Sequence, residues 1–270
     1  MRPARAHEDT RPVIVEFIGS SGAGKTSLAQ MLSRYGGTSD PVILAADLIM
    51  DRPGRRWITN PMAMNLVADV TAFPSFLRGA DRDRDFVGFA WDRLKRYAPS
   101  RSAKYNYMRE IVRNLGKHEM ARRAGANATI LVDEGAVLTA YHLFVYSGAP
   151  FDQTDLDRFA RLVPLPDRIV YVTAPVEVLV DRAMRRPDRR RELAADDRRE
   201  VERWIARALD VFDGLAMTQA IRDRVLTVHN ADSSPESRRA SVSQIAAFIE
   251  DRAPTDHTAR SAVPSGTPRT

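Results

Sequence analysis

The 270-residue sequence contains no cysteine. Disulfide bonds and thiolate-bound metal ions are therefore excluded, and this composition fits a reducing cytoplasm, where we expect the protein to act. Long apolar runs are missing too: no stretch approaches the roughly 20 residues that a membrane-spanning helix needs. The first twelve residues are polar and charged, without the apolar core of a signal peptide. We therefore expect no membrane partner.

Lysine is scarce, so arginine carries most of the basic charge in a chain whose net charge is +6. Two N–H groups of one arginine can bind a phosphate together, and the excess of arginine therefore suits an anionic ligand. GC-rich coding also raises the arginine content throughout a protein, and we attribute the high total number of arginines to such coding. The pI of 9.9 would also suit a nucleic-acid enzyme. The signatures of helicase-like motors are missing, however, and nucleic acid is not an expected partner.

Five short apolar runs predict five strands, at residues 13–18, 42–45, 129–132, 168–172 and 225–228. Helical stretches separate these runs. Strands that alternate with helices predict a parallel sheet covered on both faces. The sequence therefore predicts an α/β fold of three layers.

Three helices of this fold are clear from their boundaries. One is predicted at residues 25–35, where Gly36 ends it, and another at residues 176–186. A third is predicted at residues 235–250, with Ser234 as its N-cap.

The segment between the second and third strands, about residues 61–126, has no strand pattern and predicts a helical insert. It is expected to contain three helices and two proline breaks, at residues 62–72, 83–97 and 103–124 and at Pro74 and Pro99. The whole domain is expected to span residues 12–250. Residues 251–270 are rich in Pro, Ser, Thr and Ala and predict a disordered tail.

The most specific pattern is a phosphate-binding loop between the first strand and the first helix. Its residues are Gly19, Ser20, Ser21, Gly22, Ala23, Gly24, Lys25 and Thr26, followed by Ser27. The first eight match G-x-x-x-x-G-K-S/T at every defined position. Glycines let the backbone curl until its N–H groups and the helix N-terminus surround one anion. Lys25 is expected to reach the β- and γ-phosphates of a nucleoside triphosphate, and the Thr26 hydroxyl to ligate Mg²⁺.

Three further segments follow strand ends. The third strand ends in the acidic pair Asp133 and Glu134, an arginine-rich stretch at 182–192 follows the fourth strand, and residues 229–233 follow the fifth. Together with the phosphate loop, these segments resemble the P-loop nucleotide and nucleoside kinases, particularly the thymidylate-kinase-like and deoxynucleoside-kinase-like group. The resemblance covers roughly residues 12–250. It implies a P-loop NTPase fold with the strand order 2-3-1-4-5 and an ATP-dependent kinase.

The resemblance also implies roles for particular residues. Asp133 is expected to hold Mg²⁺ through water, although a helix N-cap is an alternative role. Glu134 stands where the family has an arginine. A mobile lid is expected at about residues 186–195, and its arginines are expected to stabilise the transferring phosphoryl group. The lid candidates are Arg182, Arg186 and Arg190. The adenine of ATP is expected to lie against Asn230, Ala231 and Asp232.

The acceptor is expected near the end of the second strand, opposite the phosphate loop. If the acceptor group is a hydroxyl, Asp47 is placed to take its proton, although a turn carboxylate is an equally good interpretation. If the acceptor group is a phosphate, arginines such as Arg52 or Arg56 would bind it. Arg109 and Arg113 lie one helical turn apart and also suggest an anionic acceptor.

Aromatic side chains of the insert are candidates for stacking on the acceptor, although packing in the core is the more common role. They are Trp57, Phe73, Phe76, Trp91, Tyr105 and Tyr107. The five histidines show no metal-binding spacing, and none of them is assigned a role.

The sequence thus predicts a kinase for a small molecule, with a nucleoside or nucleotide as the first choice. A sugar or antibiotic kinase of the same fold would share these motifs, and the unusual Glu134 keeps a non-catalytic ATP-binding regulatory protein open. A GTPase is disfavoured. Residues 51–54 match its short D-x-x-G pattern, but its N-K-x-D signature is missing after the fourth strand. The sequence leaves a homodimer open.

Overall fold

The computed structural model describes residues 11–50, 60–125, 128–186 and 197–251. Its five strands are β1 (Val13–Ile18), β2 (Val42–Leu44), β3 (Thr129–Val132), β4 (Arg168–Thr173) and β5 (Val225–His229). All neighbouring strands are parallel, and their order is β2-β3-β1-β4-β5. The predicted strand order 2-3-1-4-5 is therefore confirmed.

Helices cover both faces of this sheet. They are α1 (Lys25–Tyr35), α2 (Ala45–Met50), α3 (Pro61–Gly79), α4 (Arg84–Tyr97), α5 (Arg101–Arg122), α6 (Gln153–Leu162), α7 (Val176–Met184), α8 (Arg198–Met217) and α9 (Pro235–Glu250). A 3₁₀ turn (Val137–Thr139) and a π-helix (Tyr141–Tyr146) lie between β3 and α6. No helix in the described ranges is long and apolar enough to cross a membrane.

The central strand β1 separates two hydrophobic cores. Val15 and Phe17 point into the core that contains α1, α7 and α9. Ile18 points to the other face, into the core formed by α4, α5, α6 and the π-helix. Side chains alternate between the faces of a strand, so Glu16 shares the face of Ile18 and is buried there. This alternation puts a carboxyl group inside the protein beside the π-helix.

The predicted helix ends agree closely with the structure. α1 ends at Tyr35, and the Gly36 N–H donates to the carbonyl of Leu32. Ser234 caps α9, because its side-chain oxygen accepts a hydrogen bond from the Ser237 N–H at 3.2 Å. The second strand is one residue shorter than predicted because Ala45 already begins α2.

The helical insert differs from the prediction at one proline. α3 continues through Pro74 to Gly79, so the predicted break there is wrong. Close packing against α5 holds α3 in place: a Cβ atom on Gly116 would lie only 2.2 Å from the Ala72 carbonyl oxygen. The break at Pro99 is confirmed, since α4 ends at Tyr97 and α5 begins at Arg101.

Two predicted segments fall mainly outside the described residues. The lid prediction covers 186–195, of which only Arg186 is described, and the tail prediction covers 251–270, of which only Asp251 is described. Both stay predictions.

Candidate active site

The phosphate loop joins β1 to α1 and packs against two other elements. Gly19 has φ of 135° and lies so close to β4 that a Cβ atom would be 2.1 Å from the Val172 carbonyl oxygen. Gly24 has φ of 94°, and a Cβ there would be 2.5 Å from Asn230 Nδ2. Glycine adopts a positive φ at low cost and has no Cβ atom to collide with these neighbours. This explains why positions 19 and 24 of the motif are glycine.

Lys25 lies at the start of α1 with its side chain folded back over the loop. Its Nζ donates to the carbonyl oxygens of Gly19 and Ser20, at 2.7 and 2.9 Å. The ammonium group therefore stands beside the backbone N–H groups at the helix N-terminus. Together they form a concentrated positive site of the kind that binds phosphate.

The loop after β5 supports the phosphate loop from behind. Asn230 Nδ2 donates to the Ala23 carbonyl at 2.7 Å, and the Asn230 N–H donates to the Thr173 carbonyl of β4 at 2.7 Å. Through its side chain and its backbone N–H, Asn230 thus links the phosphate loop to the end of β4.

Arg182 of α7 fixes the same loop after β5. Its guanidinium donates to the carbonyls of Asn230 and Ala231, at 2.7 and 3.0 Å, and to Ser233 Oγ at 2.8 Å. Partial burial lowers the pKa of Arg182, as does the nearby Arg238. The contacts show Arg182 as a residue that positions this loop, and its predicted role in catalysis stays a prediction.

Two cavities meet at the phosphate loop and share Gly22, Gly24 and Arg186. The cavity on the β5 side, which we name the rear cavity, is also lined by Ser27, Leu28, Arg182, Asn230, Ser233 and Arg238. Asn230 is the one predicted adenine-loop residue among them. Asp232 instead accepts hydrogen bonds from the Ser234 N–H and Oγ, which lower its pKa.

The second cavity, which we name the front cavity, extends from the phosphate loop towards α5. Apart from the three shared residues, its lining consists of Gly19, Ser21, Lys25, Thr26, Glu110, Asn114, Asp133, Glu134, Leu138, Tyr141, His142 and Tyr146. It therefore brings together eight of the site residues that the sequence predicted, namely Gly19, Ser21, Gly22, Gly24, Lys25, Thr26, Asp133 and Arg186. It also contains several that the sequence analysis missed.

Thr26 and Asp133 present a hydroxyl and a carboxylate to the front cavity. Both are hard oxygen donors that suit Mg²⁺, which usually completes its shell with water and phosphate oxygens. In the described ranges, no group of three or more His, Asp or Glu side chains could hold a metal ion. A hydroxyl and a carboxylate fit Mg²⁺ that arrives with a nucleotide, because the phosphates would supply further oxygen ligands. Glu134 lies beside them, with its Oε2 atom 3.6 Å from Lys117 Nζ.

An aromatic wall closes the far side of the front cavity. Tyr141, His142 and Tyr146 belong to the π-helix, whose wider turns bring residues five apart onto one face. The ring of Tyr146 is 4.8 Å from that of Tyr141 and is stacked 5.9 Å from that of Tyr107. The sequence signal was the aromatic run 141–146, but a 3.6-residue period does not place Tyr141 and Tyr146 on the same face.

Several predicted acceptor residues lie elsewhere. Asp47 is exposed on α2 and does not line the front cavity. Phe73, Trp91 and Tyr105 are exposed, and Tyr107 packs behind the cavity wall. Four further predicted residues fall outside the described ranges, namely Arg52, Arg56, Trp57 and Arg190.

The prediction that Arg109 and Arg113 face an anionic acceptor is wrong for the described structure. Arg113 Nη1 lies 3.3 Å from Asp69 Oδ1, and Arg113 also pairs with Glu110. Arg109 lies 3.6 Å from Asp69 and 3.8 Å from Glu110. Both arginines are thus neutralised in a network that joins α3 to α5.

The sequence matches no protein-family profile and no curated protein. Solved structures with a similar arrangement include shikimate kinase from Bacteroides thetaiotaomicron, with a TM-score of 0.45, 15% identity, and coverage of 88% of this chain and 98% of that one. Shikimate kinase from Acinetobacter baumannii in complex with shikimate has a TM-score of 0.43, 14% identity, and coverage of 89% and 95%. A Thermus thermophilus protein has a TM-score of 0.39, 16% identity, and coverage of 87% and 97%.

Likeness at this level carries no argument about activity. The class of the protein follows instead from its own features: the parallel order β2-β3-β1-β4-β5 and the glycine loop between β1 and α1 define a P-loop NTPase fold.

Proposed function

We propose that this protein is an ATP-dependent kinase that transfers the γ-phosphoryl group of Mg·ATP to a small molecule. The observation that carries the proposal is the front cavity, in which the phosphate loop and the acidic end of β3 face an aromatic pocket. Phosphate binding and a walled space for a second substrate are the two requirements of phosphoryl transfer. A nucleoside or a nucleotide, as in the group that the sequence resembles, remains the first choice of acceptor.

The two cavities suggest how the substrates are arranged. The nucleoside of ATP occupies the rear cavity, its phosphates cross the loop, and the acceptor enters the front cavity. Lys25 and the loop N–H groups hold the β- and γ-phosphates. Thr26 and Asp133 would hold Mg²⁺, which neutralises charge on the phosphates. Arg186 borders both cavities, so its guanidinium is available to the transferring group.

In the reaction, the acceptor oxygen forms a bond to the γ-phosphorus while the bond from that phosphorus to the bridging oxygen of ADP breaks. A hydroxyl acceptor also loses its proton, and a carboxylate must receive it. Glu134 lines the front cavity, whereas Asp47 does not. We therefore propose Glu134 as the base in place of Asp47.

The test is transfer of labelled γ-phosphate from ATP to pooled nucleosides, nucleotides, sugars and antibiotics. In Lys25→Ala, loss of the ammonium group should lower turnover by roughly 100- to 1,000-fold, because that group stabilises charge in the transition state. Folding should be little changed, since Lys25 is half-exposed. Unchanged turnover in Lys25→Ala would refute the proposal.

Two carboxylate variants complete this experiment. Glu134→Gln should lose turnover while Asp47→Asn keeps it, and the reverse result would restore Asp47 as the base. Tight ATP binding without transfer to any pooled compound would favour the non-catalytic regulatory alternative.

A further inference from the structure

Asn114 is a buried amide with an unmet hydrogen-bonding atom. The residue lies on α5, is 3% exposed and lines the front cavity. Its Oδ1 atom is buried and has no hydrogen-bond partner among the described residues. Leaving such an atom without a partner costs about 1–3 kcal/mol, so buried amides are normally paired. Its place in the cavity lining suggests that a ligand supplies the missing donor.

Glu110 precedes Asn114 by one helical turn and lines the same cavity. Residues four apart lie on one side of a helix, so α5 presents two neighbouring acceptor groups to the cavity. Arg113 and Arg109 pair with Glu110 and fix its carboxylate. The first acceptor group of this pair is therefore ordered before any ligand binds.

The charges around this part of the cavity disfavour a phosphorylated acceptor. Its described lining away from the phosphate loop includes three carboxylates, from Glu110, Asp133 and Glu134. Arg186 also lines the cavity and is assigned above to the transferring γ-phosphoryl group. Two cations beside the carboxylates are engaged in ion pairs: Lys117 pairs with Glu134, and Arg113 pairs with Asp69 and Glu110. A phosphate monoester would meet like charge here, whereas a hydroxyl or amino group would donate hydrogen bonds to these carboxylate oxygens and to Asn114 Oδ1.

The wall beside these acceptors is aromatic. Tyr146 and Tyr141 line the front cavity together with His142, and the rings of Tyr146 and His142 are 5.5 Å apart. Aromatic faces pack well against planar bases and against the apolar face of a sugar ring. The same cavity thus offers a surface for a ring and two acceptors for the donors at its edge.

We infer that the acceptor of this kinase is an unphosphorylated ring compound, neutral or cationic, whose hydroxyl or amino donors are recognised by Asn114 and Glu110. The inference rests on the proposed function and goes beyond it, because it decides between a hydroxyl and a phosphate as the acceptor group. In this inference, Asn114 determines the specificity of the protein for its acceptor.

The experiment uses matched compounds that differ only in a phosphate. The pairs are adenosine and AMP, thymidine and dTMP, and glucosamine and glucosamine 6-phosphate. Phosphoryl transfer from labelled ATP and calorimetric binding in the presence of Mg·ADP are both measured. We expect the unphosphorylated member of at least one pair to be preferred by about tenfold or more, equivalent to about 1.4 kcal/mol.

Two variants test Asn114 itself. Asn114→Leu has a similar size but no acceptor, so affinity and kcat/KM for the preferred compound should fall about tenfold or more while the Kd for Mg·ADP stays within threefold. Asn114→Asp keeps the acceptor oxygens and should retain most of the affinity. Because Asn114→Leu removes an unpaired buried atom, it should not lower the stability of the free protein. If the Asn114 amide instead stabilised the fold, the same substitution would lower that stability.

Three results would overturn the inference: preference for the phosphorylated members, no binding by any unphosphorylated member, or an Asn114→Leu variant that behaves like the wild type. Failure of the kinase proposal is a different result. If the kinase proposal fails, no compound is phosphorylated in a Lys25-dependent manner. If only the inference about the acceptor fails, Lys25-dependent transfer to phosphorylated compounds is still observed.

Discussion

Glu16 is an ionisable residue in the middle of the central strand and is only 1% exposed. Its Oε1 atom accepts a hydrogen bond from the Leu138 N–H at 2.8 Å, at the start of the 3₁₀ turn. The first N–H groups of a helical segment have no partner within the segment, and a carboxylate is a strong acceptor for them. Glu16 therefore connects the strand that leads into the phosphate loop with the segment that carries Tyr141 and His142.

Burial raises the pKa of Glu16 from its ordinary value of 4.5 to about 7, although backbone hydrogen bonds and the charge of Lys117 lower it in part. A carboxyl group with a higher pKa in the folded state contributes its full stability below the unfolded pKa, and this contribution is lost as the pH rises through the folded pKa. Between pH 4.5 and 7 the wild type therefore becomes less stable because of Glu16.

Glu16→Gln should remove this part of the pH dependence. Since one pKa unit corresponds to about 1.4 kcal/mol, the free energy of unfolding of the wild type should fall by roughly 3 kcal/mol relative to the variant between pH 4.5 and 8. Urea unfolding at four pH values across this range would measure the difference. The exposed Glu202→Gln serves as the control and should run parallel to the wild type. A difference between wild type and Glu16→Gln that stays constant with pH would contradict the prediction.

At the scale of secondary-structure elements, the contact between α3 and α5 determines the shape of the helical insert. Gly116 lies in the middle of α5, where the Ala72 backbone of α3 occupies the space of a side chain. The ion pairs from Arg109 and Arg113 to Asp69 join the same two helices. This contact fixes α5, which presents Glu110 and Asn114 to the front cavity.

Gly116→Ala should therefore destabilise the protein although alanine is the better helix former. The added Cβ would lie 2.2 Å from the Ala72 carbonyl oxygen, so the helices must separate, and we expect a loss of about 1–3 kcal/mol. Gly88→Ala is the matched control, because Gly88 is also helical but has open space around it. That variant should gain up to about 1 kcal/mol from helix propensity. Urea unfolding of both variants measures the contrast, and equal effects would contradict the packing argument.

The sequence predicts elements well where the signal is local. The boundaries of β1, α1 and β3 follow from apolar runs, glycine stops and the phosphate-loop motif, and they agree with the structure. The predicted helix break at Pro74 is wrong because packing of α3 on α5 outweighs the local effect of one proline. Asn114 was missed because its importance comes from burial in the front cavity, which depends on how α5 meets the phosphate loop. The amino-acid pattern of α5 alone does not indicate that this helix lies beside the phosphate loop.

At the scale of the whole molecule, the proposed nucleotide site is assembled from distant parts of the chain. The phosphate loop comes from the N-terminal end of the domain, Arg182 from α7, and Asn230 from the end of β5. The sheet joins these parts, with a hydrophobic core on each face. A ligand that binds several of them together should therefore stabilise the complete fold and not one segment only.

Mg·ADP should therefore raise the thermal unfolding temperature of the whole chain. At 100 times its Kd, a ligand that binds only the folded state adds about 2.7 kcal/mol, which corresponds to an increase of roughly 5–10 °C for a domain of this size. Arg182→Ala removes three hydrogen bonds that fix the loop after β5, so the same concentration of Mg·ADP should give a smaller increase. Arg222→Ala is the matched control, because Arg222 is exposed and pairs with the neighbouring Asp223. Thermal unfolding by circular dichroism with and without Mg·ADP measures both increases. If Arg182→Ala responds as strongly as Arg222→Ala, the loop after β5 does not contribute to nucleotide binding, and the arrangement of substrates across the two cavities has to be revised.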